Sequence, residues 1–284
     1  MQAPLSPLRY PGSKAGLIEW MDSFLNKNSL IGAQFVEPYA GSASLGLGLL
    51  SRGSISSLMI FERDPLLFSF WYSVFFRTDR LVALIDMYEP SLKTREELNW
   101  LRKSEVVIDD IELMGYTALL FNRTGFSGVL NSGPIGGISQ TSKYTVDCRF
   151  NKPALIARIV ELSKFSSKVT VYFGDAIKAL TDANNADNSN RIFYVDPPYY
   201  IQGPKLYRYF YDFSDHLKLS ETLANAEYRW LLSYDDHPAI RHFYREFSIY
   251  EPQFRYSSRV PKKEHELLYT NIPINVDSAI KNKK

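Results

Sequence analysis

Four apolar runs of this chain, AQFVEPY, SLMIFERD, KVTVYFGDA and RIFYVDPPYY, each end on or beside a carboxylate, and turn or helix patterns separate them. Branched and aromatic residues in short runs make buried strands. SLGLGLLSRG, between the first two, carries a Leu/Gly pattern that suits a helix, and GLIEWMDSFL ahead of them reads as another. Parallel neighbours need a crossover connection, usually a helix, so this rhythm predicts an α/β protein with a mostly parallel sheet and helices on both faces. YRWLLSYDD and ELLYTNIP extend the sheet. In RIFYVDPPYY the strand must stop at Asp196, because Pro197 and Pro198 donate nothing to a ladder, and Pro198 leaves the Pro197 carbonyl without a following amide. Ligands of doubly wound sheets sit outside the carboxyl ends of the strands, so Glu37, Glu62, Asp175 and Asp196 are expected to line one cleft.

The rhythm breaks between Leu66 and about Lys164. LLFSFWYSVFF reads as a buried helix, being well short of the roughly 20 residues of a membrane span. REELNWLRKSE and DDIELMGYTALLFNR read as helices, and the Gly-rich TGFSGVLNSGPIGGISQTSKYTVDCRFN as a loop region containing a hairpin. Residues 71–164 are thus expected to interrupt a domain formed by 1–70 and 165–284. TDANNADNSN reads as a loop, and AIKNKK as a frayed tail.

A net charge of +2 does not decide the partner, but its distribution is uneven. From Asn122 to Lys164, Arg123, Lys143, Arg149, Lys152, Arg158 and Lys164 face only Asp147 and Glu161, and Arg255, Arg259, Lys262 and Lys263 form a second basic group. Such excess either meets phosphates or makes a solvated basic face. Cys148 is the sole cysteine, which excludes an internal disulfide and a multi-cysteine zinc cage and fits a reducing cytoplasm. The start, MQAPLSPLRY, lacks the basic and apolar regions of a signal peptide, so export is not expected. His216, His237, His242 and His265 show no metal-ligand spacing, and no metal site is expected; His216 reads as a helix-start residue.

After the first strand, Ala40, Gly41, Ser42, Ala43 and Ser44 make a small-residue turn into a helix, a composition that lets a ligand approach backbone amides. It is not the G-x-G-x-x-G fingerprint. About 20 residues on, Glu62 and Asp64 stand where such folds place an acid against ribose hydroxyls, which points to a nucleoside-containing cofactor. LRYPGSKAG lacks the spacing of a phosphate loop; its Lys14 either meets a carboxylate or sits in a solvated turn.

Taken in order, LRYPGSK, FVEPYAGSAS, IFERD, DPPYY and ELLYTN resemble the adenine-specific DNA methyltransferases of the Dam type, over nearly the whole chain. The resemblance implies a Rossmann-like methyltransferase sheet interrupted by a target-recognition insertion. It implies methyl transfer from S-adenosyl-L-methionine, giving S-adenosyl-L-homocysteine, to the exocyclic nitrogen of an adenine in double-stranded DNA, without a metal. Tyr10, Pro11, Gly12 and Lys14, together with Asp196, would contact the cofactor. Glu37, Pro38, Tyr39, Gly41 and Ser42 would hold its methionine part, Glu62 and Asp64 its ribose, and Asp175 with Ala176 its adenine. Asp196 and the Pro197 carbonyl would grip the target amino group in the Asp196-Pro197-Pro198-Tyr199 tetrapeptide, with Tyr199 stacked on the target ring. Asn122, Arg123, Phe126, Lys143 and Arg149 would touch DNA. The partner implied is duplex DNA, with no membrane, for a monomer or weak dimer; whether a cognate restriction endonuclease accompanies the protein does not follow from the sequence. SGPIGGISQTSKYTVDCRF departs from the corresponding stretch of GATC-reading members, so no target sequence follows.

The chemistry of the residues agrees with that implication. An amino nitrogen conjugated with a purine is a weak nucleophile, and two acceptors that draw its protons help free the lone pair. A duplex hides this nitrogen, so the base must be flipped out. The grip requires Asp196 to lie beside the Gly41 turn and not be buried in a salt bridge. The competing readings are methylation of RNA adenine or a protein amide, and a DNA-binding module without catalysis.

Overall fold

The computed structural model describes residues 6–250 and 266–272. The second basic group and the AIKNKK tail lie outside the described residues.

Seven strands form one sheet in the order β3-β2-β1-β4-β5-β7-β6. They are β1 (Gln34–Glu37), β2 (Ser57–Glu62), β3 (Val169–Phe173), β4 (Arg191–Val195), β5 (Trp230–Asp235), β6 (Ser248–Tyr250) and β7 (Glu266–Thr270). Strands β1 to β5 pair in parallel, and β7 runs antiparallel to both β5 and β6. The sheet is a mostly parallel, Rossmann-like α/β sheet, as the strand rhythm predicts. Strand β6 is an addition that the sequence reading did not include.

Strands buried on both faces explain the nearly continuous apolar runs. Phe35, Ile192, Tyr194 and Leu231 enter one hydrophobic cluster, while Val36, Phe193, Val195 and Leu232 enter another on the opposite face. The first cluster takes residues from α1 (Ile18–Lys27), α2 (Ser44–Arg52), α3 (Pro65–Phe76), α4 (Thr78–Met87), the short α6 (Asn99–Arg102), α7 (Ile111–Thr124) and α8 (Lys152–Ser163); a short α5 (Leu92–Glu97) precedes α6. The second contains Ile177 and Leu180 of α9 (Ala176–Ala183) and Leu219 and Leu223 of a helix at Phe213–Ala224.

LLFSFWYSVFF is buried as expected: α3 has Phe70, Trp71 and Val74 inside the protein. This helix spans position 70, so the boundary at 70/71 falls within a continuous element. Leu81, Leu101, Leu119, Leu120 and Ile159, all from the interrupting segment, share one apolar cluster with Phe35 and Ile60 of the sheet. REELNWLRKSE is divided between α5 and α6 instead of forming one helix.

The expected hairpin is absent among the described residues. Gly125 and Pro134 make a single antiparallel bridge, with no strand ladder. Local side-chain bonds take its place: the Gln140 amide donates to the Ile135 carbonyl at 2.9 Å, and its oxygen accepts from the Val146 amide at 2.7 Å. Among the described residues no helix is long and apolar enough to cross a membrane.

Candidate active site

The order of the sheet reverses between β1 and β4, which lie side by side with Val36 opposite Phe193. A crevice opens at such a reversal because the connections leave the carboxyl ends in opposite directions. Here it is an open cleft of about 860 Å³, lined by Glu37, Glu62, Asp175 and Asp196 from four successive parallel strand ends.

One wall is the turn after β1. Gly41 and Ala43 both adopt left-handed backbone, with φ of 47° and 46°. A Cβ on Gly41 would lie only 3.0 Å from Tyr10 Cε1, so glycine serves both conformation and space. Trp71 Nε1 donates to the Gly41 carbonyl at 2.9 Å, and the Gly41 amide donates to Glu62 Oε2 at 3.1 Å. The other Glu62 oxygen accepts the Asp64 amide at 2.9 Å. Burial raises Glu62 to about 7, aided by the neighbouring Asp64 charge and opposed by these amides.

Glu37 Oε1 accepts the amide of Gly46 at 3.0 Å, while its buried Oε2 has no partner among the described residues. Burial pushes Glu37 up to about 8. Ser42 and Ser13 both approach the Ser44 hydroxyl, at 2.9 and 3.0 Å, and so tie LRYPGSK to the turn. Asp64 caps α3 by accepting the Leu66 amide and forms a buried ion pair with Arg208 Nη1 at 2.7 Å. Burial still lifts it to about 6 against the pull of Arg208. Asp175 caps α9 and lies 3.6 Å from Arg63 Nη1.

The opposite wall is the end of β4. Lys14 meets two carboxylates, with Nζ 2.9 Å from Asp196 Oδ1 and 3.1 Å from Glu266 Oε1. Although burial disfavours its charge, these two anions hold Lys14 well above its usual range. The grip requires that Asp196 not be buried in a salt bridge; it is salt-bridged but only half-buried, with Oδ1 occupied by Lys14 and by the Ser233 hydroxyl at 2.6 Å. Its side chain nevertheless retains 23% exposure and borders the same cleft as Gly41, and Oδ2 makes no hydrogen bond among the described residues. Burial raises the Asp196 pKa, with Lys14 acting in the opposite direction.

Tyr10, Gly12, Lys14, Glu37, Pro38, Tyr39, Gly41, Ser42, Glu62, Asp64, Asp175, Ala176, Asp196 and Pro198 border the cleft. Pro11, Pro197 and Tyr199 are not among its lining residues. Tyr199, expected to stack on a substrate ring, is buried; its hydroxyl donates to Glu266 at 2.7 Å, and its Oη would meet a Cβ on Gly12 at 2.4 Å. Its hydroxyl contact with Glu266 ties it to the Lys14 cluster.

The expected DNA-contact residues divide. Asn122 is fully buried, accepting the Arg9 amide and donating to the Arg9 and Gly128 carbonyls, so it cannot read a base edge. Arg123 is half-buried and donates through Nε to the Arg149 carbonyl at 2.7 Å. Phe126 is 70% exposed, and Lys143 and Arg149 are exposed. None of the five borders the cleft.

Sequence reasoning missed Glu266, Arg208 and Ser233. Glu266 has a readable signal in retrospect: a carboxylate opening the apolar ELLYT strand requires a partner if its side chain is buried. Nothing local indicates that the partner is Lys14.

No curated protein sequence matches the chain at a significant level. Among solved structures, the chain is similar to the SAM-dependent methyltransferase NGO1261 from Neisseria gonorrhoeae, at 11% identity and a TM-score of 0.37, covering 97% of this chain and 74% of that one. It is also similar to the rRNA methyltransferase aviRa from Streptomyces viridochromogenes, at 13% identity and a TM-score of 0.37, covering 95% and 87%. The family model for D12 class N6 adenine-specific DNA methyltransferases matches residues 10–258, most of the chain's length. The chain belongs to the D12 class N6 adenine-specific DNA methyltransferase family.

Proposed function

We propose that this protein methylates the N6 nitrogen of an adenine in double-stranded DNA, with S-adenosyl-L-methionine as the methyl donor. The observation that carries this reading is that Asp196 and the Gly41–Glu62 wall border one cleft at the reversal of the sheet.

The residues present fit the cofactor. The close approach permitted at Gly41, the unpartnered buried Oε2 of Glu37 and the Glu62 carboxylate suit an amino-acid moiety followed by a ribose. In this reading Glu37 to Ser42 hold the methionine part, Glu62 the ribose, and Asp175 with Ala176 the adenine. When bound, the cofactor supplies an electrophilic methyl group on a sulfonium.

In this reading Asp196 Oδ2 and the Pro197 carbonyl each accept a hydrogen bond from the target amino group. Asp196 Oδ1 is already held by Lys14 and Ser233, so Oδ2 can take up the amino group without breaking an internal bond. As the nitrogen gains positive charge, a preformed anion and dipole stabilise it with little reorganisation. Asp196 then takes the surplus proton of the methylated nitrogen. The adenine must leave the duplex stack to reach this position. Residues 71–164 carry DNA recognition in this reading, with exposed Phe126 and Lys143 facing the duplex.

Mass spectrometry of nucleosides tests the proposal, after incubation of the protein and cofactor with duplex DNA, matched RNA or a protein extract. N6-methyladenine in the DNA is the expected product. Methyl incorporation confined to RNA or protein overturns the substrate assignment.

A further inference from the structure

Glu266 opens β7, with only 3% of its side chain exposed. A carboxylate this deep persists as an anion only with charged or hydrogen-bonding partners. Oε1 has two: the Tyr199 hydroxyl at 2.7 Å and Lys14 Nζ at 3.1 Å. Oε2 is equally deep and has no partner among the described residues.

Lys14 is the hub of this cluster. Its ammonium lies 2.8 Å from the Gly12 carbonyl, 2.9 Å from Asp196 Oδ1 and 3.1 Å from Glu266 Oε1, with the Tyr199 hydroxyl at 3.4 Å. Three protons thus have protein acceptors, and none remains for the cofactor contact that LRYPGSK implies. One cation faces two carboxylates, of which only Asp196 borders the cleft.

We propose that Glu266 is a positioning residue for methyl transfer: it seats the Lys14 ammonium and the Tyr199 hydroxyl, which fixes Asp196 through Oδ1 and leaves Oδ2 to the substrate amino group. Glu266 also shares the Lys14 charge, so Asp196 is not reduced to a weak acceptor by an undivided cation. This role rests on the methyl-transfer reading above.

The groups around Asp196 are Lys14, Glu266, Ser233, Glu37 and the tyrosines Tyr10, Tyr194, Tyr199, Tyr207 and Tyr234. Glu266→Gln removes one of its two strongest charged neighbours while retaining an acceptor for Tyr199. Lys14 then acts on Asp196 alone and keeps it ionised to lower pH.

The test is steady-state methylation of duplex DNA from acid to alkaline pH by the full chain and by Glu266→Gln, Glu266→Asp and Tyr199→Phe. Glu266→Gln should lower kcat about 100-fold, the scale of a small misplacement at a reacting centre. KM for S-adenosyl-L-methionine and duplex affinity should stay within about twofold. The acid limb of kcat should move to lower pH in Glu266→Gln and stay in place in Glu266→Asp, which keeps the charge. Tyr199→Phe, which keeps the ring, should lower kcat about tenfold with KM unchanged. Wild-type turnover in Glu266→Gln, or a loss proportional to its unfolded fraction with an unmoved acid limb, overturns the inference. A wild-type chain that binds cofactor but methylates no DNA defeats the reading beneath it instead.

Discussion

Glu62 Oε2 accepts the Gly41 amide at 3.1 Å, so the acid at the end of β2 holds in shape the turn at the end of β1. With its other oxygen on the Asp64 amide, the carboxylate fixes the wall that the cofactor reading uses. Glu62→Ala should weaken S-adenosyl-L-methionine binding by about tenfold or more, the scale of a lost charged hydrogen bond. Titration calorimetry checks this against duplex affinity, which should not change. Unaltered cofactor affinity would remove Glu62 from the site.

The buried carboxylates make stability depend on pH. Glu37 is raised from 4.5 to about 8 by burial, so folding favours its protonated form. Its contribution is fully present below the ordinary carboxylate range and is lost as pH rises through the raised value. Glu37→Gln, which cannot ionise, should therefore gain stability relative to wild type as pH rises from about 4.5 to about 8, and no further above that. Thermal unfolding without cofactor measures it. A difference that stays constant with pH would show that Glu37 does not titrate in this way.

How far the sequence alone reaches can be seen at particular residues. The parallel strands and their acidic ends are legible because burial on both faces demands apolar runs, and the carboxylates bring them to a stop at a polar edge. Asn122 is not legible: in the last turn of α7 a polar residue resembles surface, but α7 is buried on nearly all sides there and Asn122 serves Arg9 and Gly128. The hairpin fails because a Gly-rich stretch encodes turns without encoding which amides pair. Glu266 and Lys14 lie near opposite ends of the chain, and only the fold brings them to 3.1 Å.

Asn122→Ala leaves the Arg9 amide and two carbonyls without their bonds inside the protein. It should cost about 2 to 4 kcal/mol of stability. The salt dependence of duplex binding should remain that of wild type, as measured on the folded protein by fluorescence anisotropy. Unchanged stability with a weakened duplex affinity would place Asn122 on DNA after all.

Phe126 shows the opposite pattern. It is 70% exposed, so Phe126→Ala should change stability by no more than about 0.5 kcal/mol. If the ring stacks on an exposed base, duplex affinity should fall about tenfold. Denaturant unfolding and anisotropy measure the two effects separately, and unchanged affinity would exclude Phe126 from the interface.

In the proposed reaction Asp196 Oδ2, unpartnered among the described residues, grips the adenine amino group at the end of β4. The most direct measurement is N6-methyladenine formation by Asp196→Ala, quantified by mass spectrometry alongside its cofactor and duplex affinities. No detectable product should form while both ligands still bind. Methylation at the wild-type rate would contradict it.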